Sequence, residues 1–351
     1  MEILSEYGLF LAKIVTFVVA ALILVSVILS AAQRARHHED EGELQVVRLN
    51  DQMRETRDAL EAGMLEAGRR RHWLKQLRKK RKNEDKKAAS AQKEGEESVR
   101  KRVFVVDFAG DIKASQTASL RRCVTAILGV AEPDRDEVVV RLESAGGMVH
   151  SYGYAAAQLD RLRRRELSLT VCVDKVAASG GYMMACVADR IVASPFAILG
   201  SIGVVAQLPN FHRFLKKNEV DFEVLTAGEY KRTLTLFGEN TEKGRQKFRE
   251  DLEDTHQLFK DYVSEHRPVV EIDRIATGEI WFGRRAMEVK LADDLATSDQ
   301  YLMDACENSD VLLVRYERRK SLPEKLGLAT ATALESVFMR GVDWIRTGRY
   351  Q

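Results

Sequence analysis

Residues 137–174 have the sequence EVVVRLESAGGMVHSYGYAAAQLDRLRRRELSLTVCVD, and this stretch decides the fold class. The runs at 137–144 and 167–174 are short and apolar, which is typical of buried strands. The segment between them, 152–165, has helical spacing. A strand, a helix and a second strand in this order predict parallel pairing with a right-handed crossover.

The same alternation extends in both directions along the chain. An apolar run at 103–108 and a helical pattern at 118–130 precede the central stretch. Downstream, the patterns predict a helix near 180–188, strands at 191–195, within 197–208 and at 221–228, a long helix at 241–266, and two short helices joined by a turn within 271–295. The sequence therefore predicts an α/β fold from about residue 102 onward.

The amino-terminal region predicts a membrane anchor. Residues 14–32 form an uncharged run that is long enough to cross about 30 Å of hydrocarbon as a helix. A cleavable signal peptide would have a basic start and a shorter apolar run, so we expect an uncleaved anchor within 1–33, although Ser30-Ala31-Ala32 resembles a weak cleavage site. The apolar stretch 182–208 contains Asp189 and Arg190, which favours a place in the protein core.

Residues 34–101 are predicted to form a charged, partly helical stalk without a core of its own. The block at 69–87 alone holds 11 basic and 2 acidic side chains. A solvated helix face or a juxtamembrane tether is favoured for this block over a site for RNA or anionic lipid. The net charge of the whole chain is only +2, and nucleic acid is not an expected partner.

Cysteine spacing argues against a metal or disulfide framework. The four cysteines, Cys123, Cys172, Cys186 and Cys306, lie far apart, with no CxxC pair. Zinc fingers and small disulfide-rich domains need closely spaced cysteines.

Three local patterns have residue types that carry chemistry. Ser179 lies between a predicted strand and a predicted helix, where a sharp turn would expose its hydroxyl at the helix N-terminus. Gly146-Gly147 follow the strand at 137–144, and their backbone N–H groups can act as oxyanion donors. Lys231 follows the predicted strand at 221–228. Each pattern taken alone is a weak signal, because glycine turns after strands are common and a lone lysine is usually exposed to solvent.

The combination of these patterns, with Gly200-Ser201-Ile202-Gly203-Val204 between them, resembles the signal peptide peptidase A family. The resemblance covers nearly the whole chain and implies a ClpP/crotonase-like fold of repeated ββα units. It also implies a serine peptidase with a Ser-Lys dyad, which needs no metal or cofactor. It divides the chain into an anchor at 1–33, a stalk at 34–101, a catalytic domain at 102–316 and an amphipathic tail at 317–351.

The resemblance assigns a role to each matching residue. It implies that Ser179 is the nucleophile, Lys231 the general base and Ser201 the hydroxyl that positions the lysine. It implies that Gly146 and Gly180 supply the oxyanion N–H donors. The stretch 278–283 resembles a downstream helix-turn motif of the family, but Lys290 stands where many relatives have glycine.

A lysine base has a physical requirement. A lysine side chain ordinarily titrates near 10.4 and is protonated at neutral pH, so it accepts a proton only when it is desolvated or placed near another cation. We therefore expect Lys231 to be buried, with Arg232 as a candidate neighbouring cation. His150 is the alternative base, although no carboxylate is placed by a triad pattern to orient it.

The sequence thus predicts a serine endopeptidase anchored in a bacterial inner membrane. The family implies signal peptide remnants or misfolded membrane proteins as substrates, and assembly into a homo-oligomer. Basic residues after the anchor favour a cytoplasmic catalytic domain, whereas the family implies a periplasmic one. A crotonase-type acyl-CoA enzyme and a non-catalytic membrane scaffold remain the alternative functions.

Overall fold

The computed structural model describes residues 42–93 and 100–318. Gln45–Arg315 form one compact unit, and the described residues 42–44 and 316–318 belong to a second. The larger unit contains all of the predicted site residues, from Gly146 to Lys231.

The predicted membrane anchor at 14–32 lies outside the described residues, as does most of the predicted tail at 317–351. In the part of the chain that the structure describes, no helix is both long and apolar enough to span a bilayer. The second apolar stretch, 182–208, contributes to a short buried helix and to two strands, but none of residues 203–208 is buried, so the expected core position holds only for most of the stretch up to Ile202.

Strands and helices alternate through the described chain. The strands are β1 (Gly42–Arg48), β2 (Lys101–Gly110), β3 (Glu137–Ser144), β4 (Ser168–Val173), β5 (Val176–Ala178), β6 (Arg190–Ala193), β7 (Ile198–Gly200), β8 (Ile280–Phe282), β9 (Asp294–Leu295) and β10 (Ser309–Arg318). The helices are α1 (Leu49–Met64), α2 (Ala67–Lys93), α3 (Thr117–Leu128), α4 (Val149–Arg163), α5 (Gly180–Ala185), α6 (His212–Lys217), α7 (Glu242–His266), α8 (Ile272–Ile275), α9 (Gly283–Glu288) and α10 (Ser298–Asn308). The α/β class predicted from the sequence is confirmed.

The main sheet has the strand order β1-β10-β2-β3-β4-β6-β9. From β10 to β9 every neighbouring pair is parallel. The apolar residues in the middle of the central strands β2, β3 and β4 are buried, because helices such as α3 and α4 cover the sheet. Their carboxyl ends therefore lie along one edge, where parallel α/β sheets usually place their ligand sites.

The strands β5, β7 and β8 form a small side wall next to that edge. β5 pairs with the end of β3 and with β7, and β8 pairs antiparallel with β7. The succession β4, β5, α5 is a ββα unit in which the first strand joins the main sheet and the second joins the side wall. This unit agrees with the repeated ββα pattern expected for the fold.

Several element predictions were wrong at the side wall and beyond it. The apolar run at 197–208 is a strand only over Ile198–Gly200, and 221–228 contains no strand. The second run has apolar residues but no neighbouring strand to bond to, and all its residues are exposed. The predicted helix-turn motif at 278–283 is largely strand β8, because it pairs with β7. The sequence patterns also missed the strands β1, β5, β9 and β10 and the helices α6 and α10.

The stalk prediction needs one correction. Residues 34–101 were expected to have no core, but Leu49 at the start of α1 is buried in a cluster that includes Leu302 and Val311. The side-chain amide of Asn50 donates to the carbonyl oxygens of Cys306 and Ser309, at 3.1 and 2.9 Å. The helix α1 is therefore packed on the sheet unit, whereas the described side chains of α2 are mostly exposed.

Candidate active site

Three strand ends converge at the edge of the sheet. The register pairs Ser144 of β3 with Ala177 of β5, and Ala178 of β5 with Gly200 of β7. The residues that follow these pairs are Gly146, Ser179 and Ser201, so the topology brings them together. The Ser179 N–H donates to the Gly200 carbonyl oxygen at 2.8 Å and ties two of the three strand ends together.

Ser179 occupies a sharp turn between β5 and α5. Its φ of 52° lies in the left-handed region, which a serine seldom adopts. Its side chain is half-buried, and α5 begins at the next residue, Gly180, which is buried. Such a turn presents a hydroxyl at a helix N-terminus, where the aligned peptide dipoles favour negative charge.

Gly146 lies directly against this turn. Its φ is 90°, and a β-carbon there would be 2.7 Å from Gly180 N and 2.8 Å from Ser179 Cβ. Only glycine fits, because the backbone must approach closely in a conformation that disfavours a side chain. The structure thus brings three predicted site residues, Gly146, Ser179 and Gly180, into one cluster.

The two predicted oxyanion donors, the N–H groups of Gly146 and Gly180, differ in their hydrogen bonding. The Gly146 N–H donates to Ser144 Oγ at 3.0 Å, so this group already has a partner. Gly180 N–H is at the first position of α5, where a helix leaves its N–H groups without an intrahelical acceptor. Gly180 is therefore the better placed of the two donors, and the prediction for Gly146 requires its N–H to share or change partner.

Ser201 is held by the side wall. Its φ is 50°, and its N–H donates to the Glu279 carbonyl oxygen at 2.7 Å. The N–H of Gly278 donates to the Ile202 carbonyl oxygen at 3.1 Å, so the antiparallel contact continues past β7 and β8. The stretch that resembles the family motif therefore fixes the backbone at Ser201.

Lys231 is placed differently from the expectation. It is exposed and lines a cavity of about 790 Å³ whose apolar walls include Phe222, Leu225 and Phe237. Ser179 does not line this cavity, and no hydrogen bond joins these two described residues. Arg232 is also exposed. The single chain does not bury the lysine, and the expectation of burial is wrong for it.

Lys231 is exposed because the whole segment that carries it, 203–237, lies outside the core. None of its residues is buried, and its one regular element is the short helix α6. Phe237 contacts Phe211 and Phe222, with ring centroids 6.0 and 5.6 Å apart, which gives the segment a small aromatic cluster of its own. The segment therefore does not pack into the core of the sheet unit.

Neither the alternative base nor a metal site finds support in the described residues. His150, the alternative base, is an exposed residue in the first turn of α4, and no ion pair to a carboxylate is formed by it in the described chain. Within residues 42–93 and 100–318, no group of three His, Cys, Asp or Glu side chains could hold a metal ion.

Sequence reasoning missed the support beneath the site. Tyr152 of α4 is fully buried, and Ser144 is nearly so. Burial raises the pKa of the Tyr152 hydroxyl, and the hydrogen bond from Ser144 lowers it by less. Burial also raises the pKa of Tyr182 on α5, whose hydroxyl donates to the Leu291 carbonyl oxygen at 3.1 Å. Both tyrosines belonged to helical patterns that indicated only core positions.

Comparison with known families decides the assignment. The family described as "Peptidase family S49 N-terminal" matches residues 2–159, and "Peptidase family S49" matches residues 161–312. The chain belongs to peptidase family S49. The resemblance to the signal peptide peptidase A family is thereby confirmed, and family S49 membership makes the chain a serine peptidase.

Two named relatives are similar in sequence over most of the chain. A protein of Haemophilus influenzae named "Probable protease SohB" is 49% identical over 93% of this chain and 92% of its own length. A protein of the same name from Buchnera aphidicola subsp. Schlechtendalia chinensis is 45% identical over 86% of this chain and 99% of its own. The similarity therefore spans both of the matched family S49 regions.

Solved structures are more distant. A membrane-bound stomatin-specific protease in complex with a substrate peptide is 11% identical, with a TM-score of 0.40, over 65% of this chain and 96% of its own. An enoyl-CoA hydratase/isomerase from Marinobacter aquaeolei is 14% identical, with a TM-score of 0.34, over 56% of this chain and 68% of its own. Likeness at this level carries no conclusion about substrate or mechanism.

Proposed function

We propose that the chain is a membrane-anchored endopeptidase that cleaves polypeptides through an acyl-enzyme on Ser179. The observation that carries this proposal is the left-handed Ser179 turn packed against Gly146. Strained backbone at a half-buried hydroxyl persists only where the surrounding structure holds it, and such strain clusters at functional sites. Gly180 N–H, and Gly146 N–H shared between Ser144 Oγ and the substrate oxygen, would stabilise the oxyanion.

The chemistry divides into acylation and deacylation. Ser179 Oγ attacks the peptide carbonyl carbon as its proton passes to a base, and the tetrahedral intermediate expels the amine, which takes up that proton. Water then attacks the acyl-enzyme, releases the carboxylic acid and returns the proton to Ser179. We assign the base to Lys231, with Ser201 beside Ser179 as the hydroxyl that positions it.

This assignment requires a rearrangement of segment 203–237. Exposed apolar side chains crowd the segment, and Val205, Phe214 and Leu225 are 80%, 64% and 91% exposed. Exposure of so many apolar side chains to water is unfavourable, and clusters of exposed apolar residues are typical of protein interfaces. Self-association of the chain would cover this surface and desolvate Lys231, so that it can act as a base.

Membrane attachment is supported by the uncharged run at 14–32, which is long enough for one crossing in a bacterial inner membrane. Family resemblance supports signal peptide remnants and misfolded membrane proteins as substrates. It also supports small or apolar side chains next to the cleaved bond.

Labelling with a serine-reactive fluorophosphonate tests the proposed nucleophile. The full chain in detergent should incorporate one label at Ser179 and hydrolyse an unfolded protein, and Ser179→Ala should lose both by at least about a thousandfold. Ser194→Ala is the matched control, because Ser194 follows β6 away from the turn. An acyl-CoA enzyme or a scaffold would leave the wild-type chain unlabelled, and that result would reject the proposal.

A further inference from the structure

Tyr152 lies directly beneath the Ser179 turn. It is 0% exposed, and a β-carbon built at Gly180 would overlap the Cγ atom of its ring. A β-carbon at Gly110 would overlap its hydroxyl oxygen in the same way. One aromatic side chain therefore supports both the residue after the nucleophile and the end of β2.

The Tyr152 hydroxyl is part of a hydrogen-bonded chain whose direction follows from chemistry. It lies 2.7 Å from the Asp111 carbonyl oxygen, which can only accept, so the single tyrosine proton goes there. Ser144 Oγ lies 2.6 Å from the tyrosine oxygen and must donate to it. Ser144 Oγ in turn accepts the N–H of Gly146 at 3.0 Å.

The series of hydrogen bonds therefore runs from Gly146 through Ser144 and Tyr152 to Asp111. It links the turn after β3 to the loop after β2, through a hydroxyl on α4. Every donor and acceptor in it is used, so loss of one hydroxyl leaves a buried polar neighbour without its partner. The Met148 N–H donates to the Ile112 carbonyl oxygen at 2.8 Å and joins the same two loops at their far side.

We propose that Tyr152 is a positioning residue that acts through Ser144 to hold the Gly146 turn against Ser179 and Gly180. This proposal rests on the proposed peptidase function and names a residue on which the rate of acylation depends. Tyr152 does not touch the reacting atoms. Its hydroxyl fixes the orientation of the Gly146 peptide, and its ring fixes the α-carbon of Gly180.

Loss of the Tyr152 hydroxyl should lower the rate of acylation without lowering the fraction of active protein. Backbone donors contribute to catalysis only when they already point at the developing oxyanion. A loosened Gly146 turn no longer holds Ser179 and the Gly180 N–H in place, and this slows the attack on a carbonyl or a phosphonate alike. Substrate affinity should change little, because Tyr152 is buried and contacts no solvent.

The test compares Tyr152→Phe with Tyr154→Phe in the full chain. Tyr154 lies on the same helix but is exposed, so its hydroxyl is the matched control. Tyr152→Phe should lower kcat and the fluorophosphonate labelling rate about tenfold, with KM within about twofold, while the final labelled fraction stays that of the wild type. Ser144→Ala should do the same, and the double variant should be no slower than either single variant.

Each other outcome overturns the proposal in a recognisable way. An unchanged labelling rate in Tyr152→Phe would show that the hydroxyl positions nothing. A lower final labelled fraction at an unchanged rate would show a purely structural role, because fewer chains would be folded. A wild-type chain that is neither labelled nor active would reject the peptidase function itself, and the positioning role with it.

Discussion

Ser179 and Ser201 both have a positive φ, 52° and 50°, directly after paired residues of two parallel strands. Each such position costs about 1–3 kcal/mol relative to an ordinary backbone conformation. Glycine would remove much of this cost, yet both positions carry a hydroxyl. The strain and the hydroxyls together argue that the two side chains are needed where they are.

If Lys231 is the general base, a residue that always keeps its positive charge should not be able to replace it. Arginine keeps its proton throughout the accessible pH range, so Lys231→Arg cannot accept the Ser179 proton and should be as inactive as Lys231→Ala. Ser201→Ala should cost less, since both reacting groups remain. Hydrolysis of an unfolded protein measures all three variants, with Lys243→Arg, an exposed lysine on α7, as the control.

Substantial turnover by Lys231→Arg would contradict a lysine base. If His150→Ala were inactive instead, the base would be His150, although the exposed position of this histidine does not favour it.

At the scale of elements, the amino-terminal end of β3 carries a buried carboxylate. Glu137 is 5% exposed and accepts hydrogen bonds from Lys101, Tyr301 and Thr170. Burial alone would raise the pKa of Glu137, but these partners together hold it below its ordinary value. A lowered folded-state pKa adds stability above the unfolded-state pKa of about 4.3, and this stability is lost as the pH falls.

Glu137→Gln should therefore be less stable than the wild type at pH 6, by about 1–3 kcal/mol, and should lose less stability between pH 6 and pH 3. Urea unfolding followed by circular dichroism measures the difference. Glu143→Gln, at an exposed position of the same strand, is the control. Parallel stability curves for the wild type and Glu137→Gln would contradict the linkage.

The helices and strands that the sequence predicted well are those with a strong local pattern of apolar residues. Strand β3 matches its predicted bounds because its apolar run lies in the middle of a parallel sheet, buried on both faces. Strands β5 and β8 were missed because three residues carry no period; β5 is a strand because it pairs with β3 and β7, and β8 because it pairs with β7. The same holds for the site residues: Gly146 and Ser179 stand out as turns in the sequence, whereas the helical pattern around Tyr152 does not distinguish it from any other residue of the helix.

At the scale of the whole molecule, the exposed segment 203–237 predicts self-association. A shortened chain that begins at residue 42 should sediment as an oligomer at micromolar concentration. It keeps α1, which a cut at residue 102 would remove together with the buried Leu49. Leu225→Asp should shift the chain toward the monomer, because a charge in a desolvated interface is unfavourable.

Leu258→Asp is the control for that measurement, because Leu258 is exposed on α7, outside the segment. Sedimentation of the unsubstituted shortened chain as a monomer at all concentrations would contradict self-association through this surface.

The site at the end of β3, β5 and β7 is made largely of peptide groups, with Gly146, Gly180 and Gly181 in places that leave no room for a side chain. An alanine scan would therefore describe it poorly. Alanine at these positions disrupts the fold, and proline, the one natural residue without a backbone N–H, cannot fit there either. Replacing single amides by esters through chemical ligation would remove one donor at a time. The contribution of each peptide group to the reaction would then become a measurable quantity.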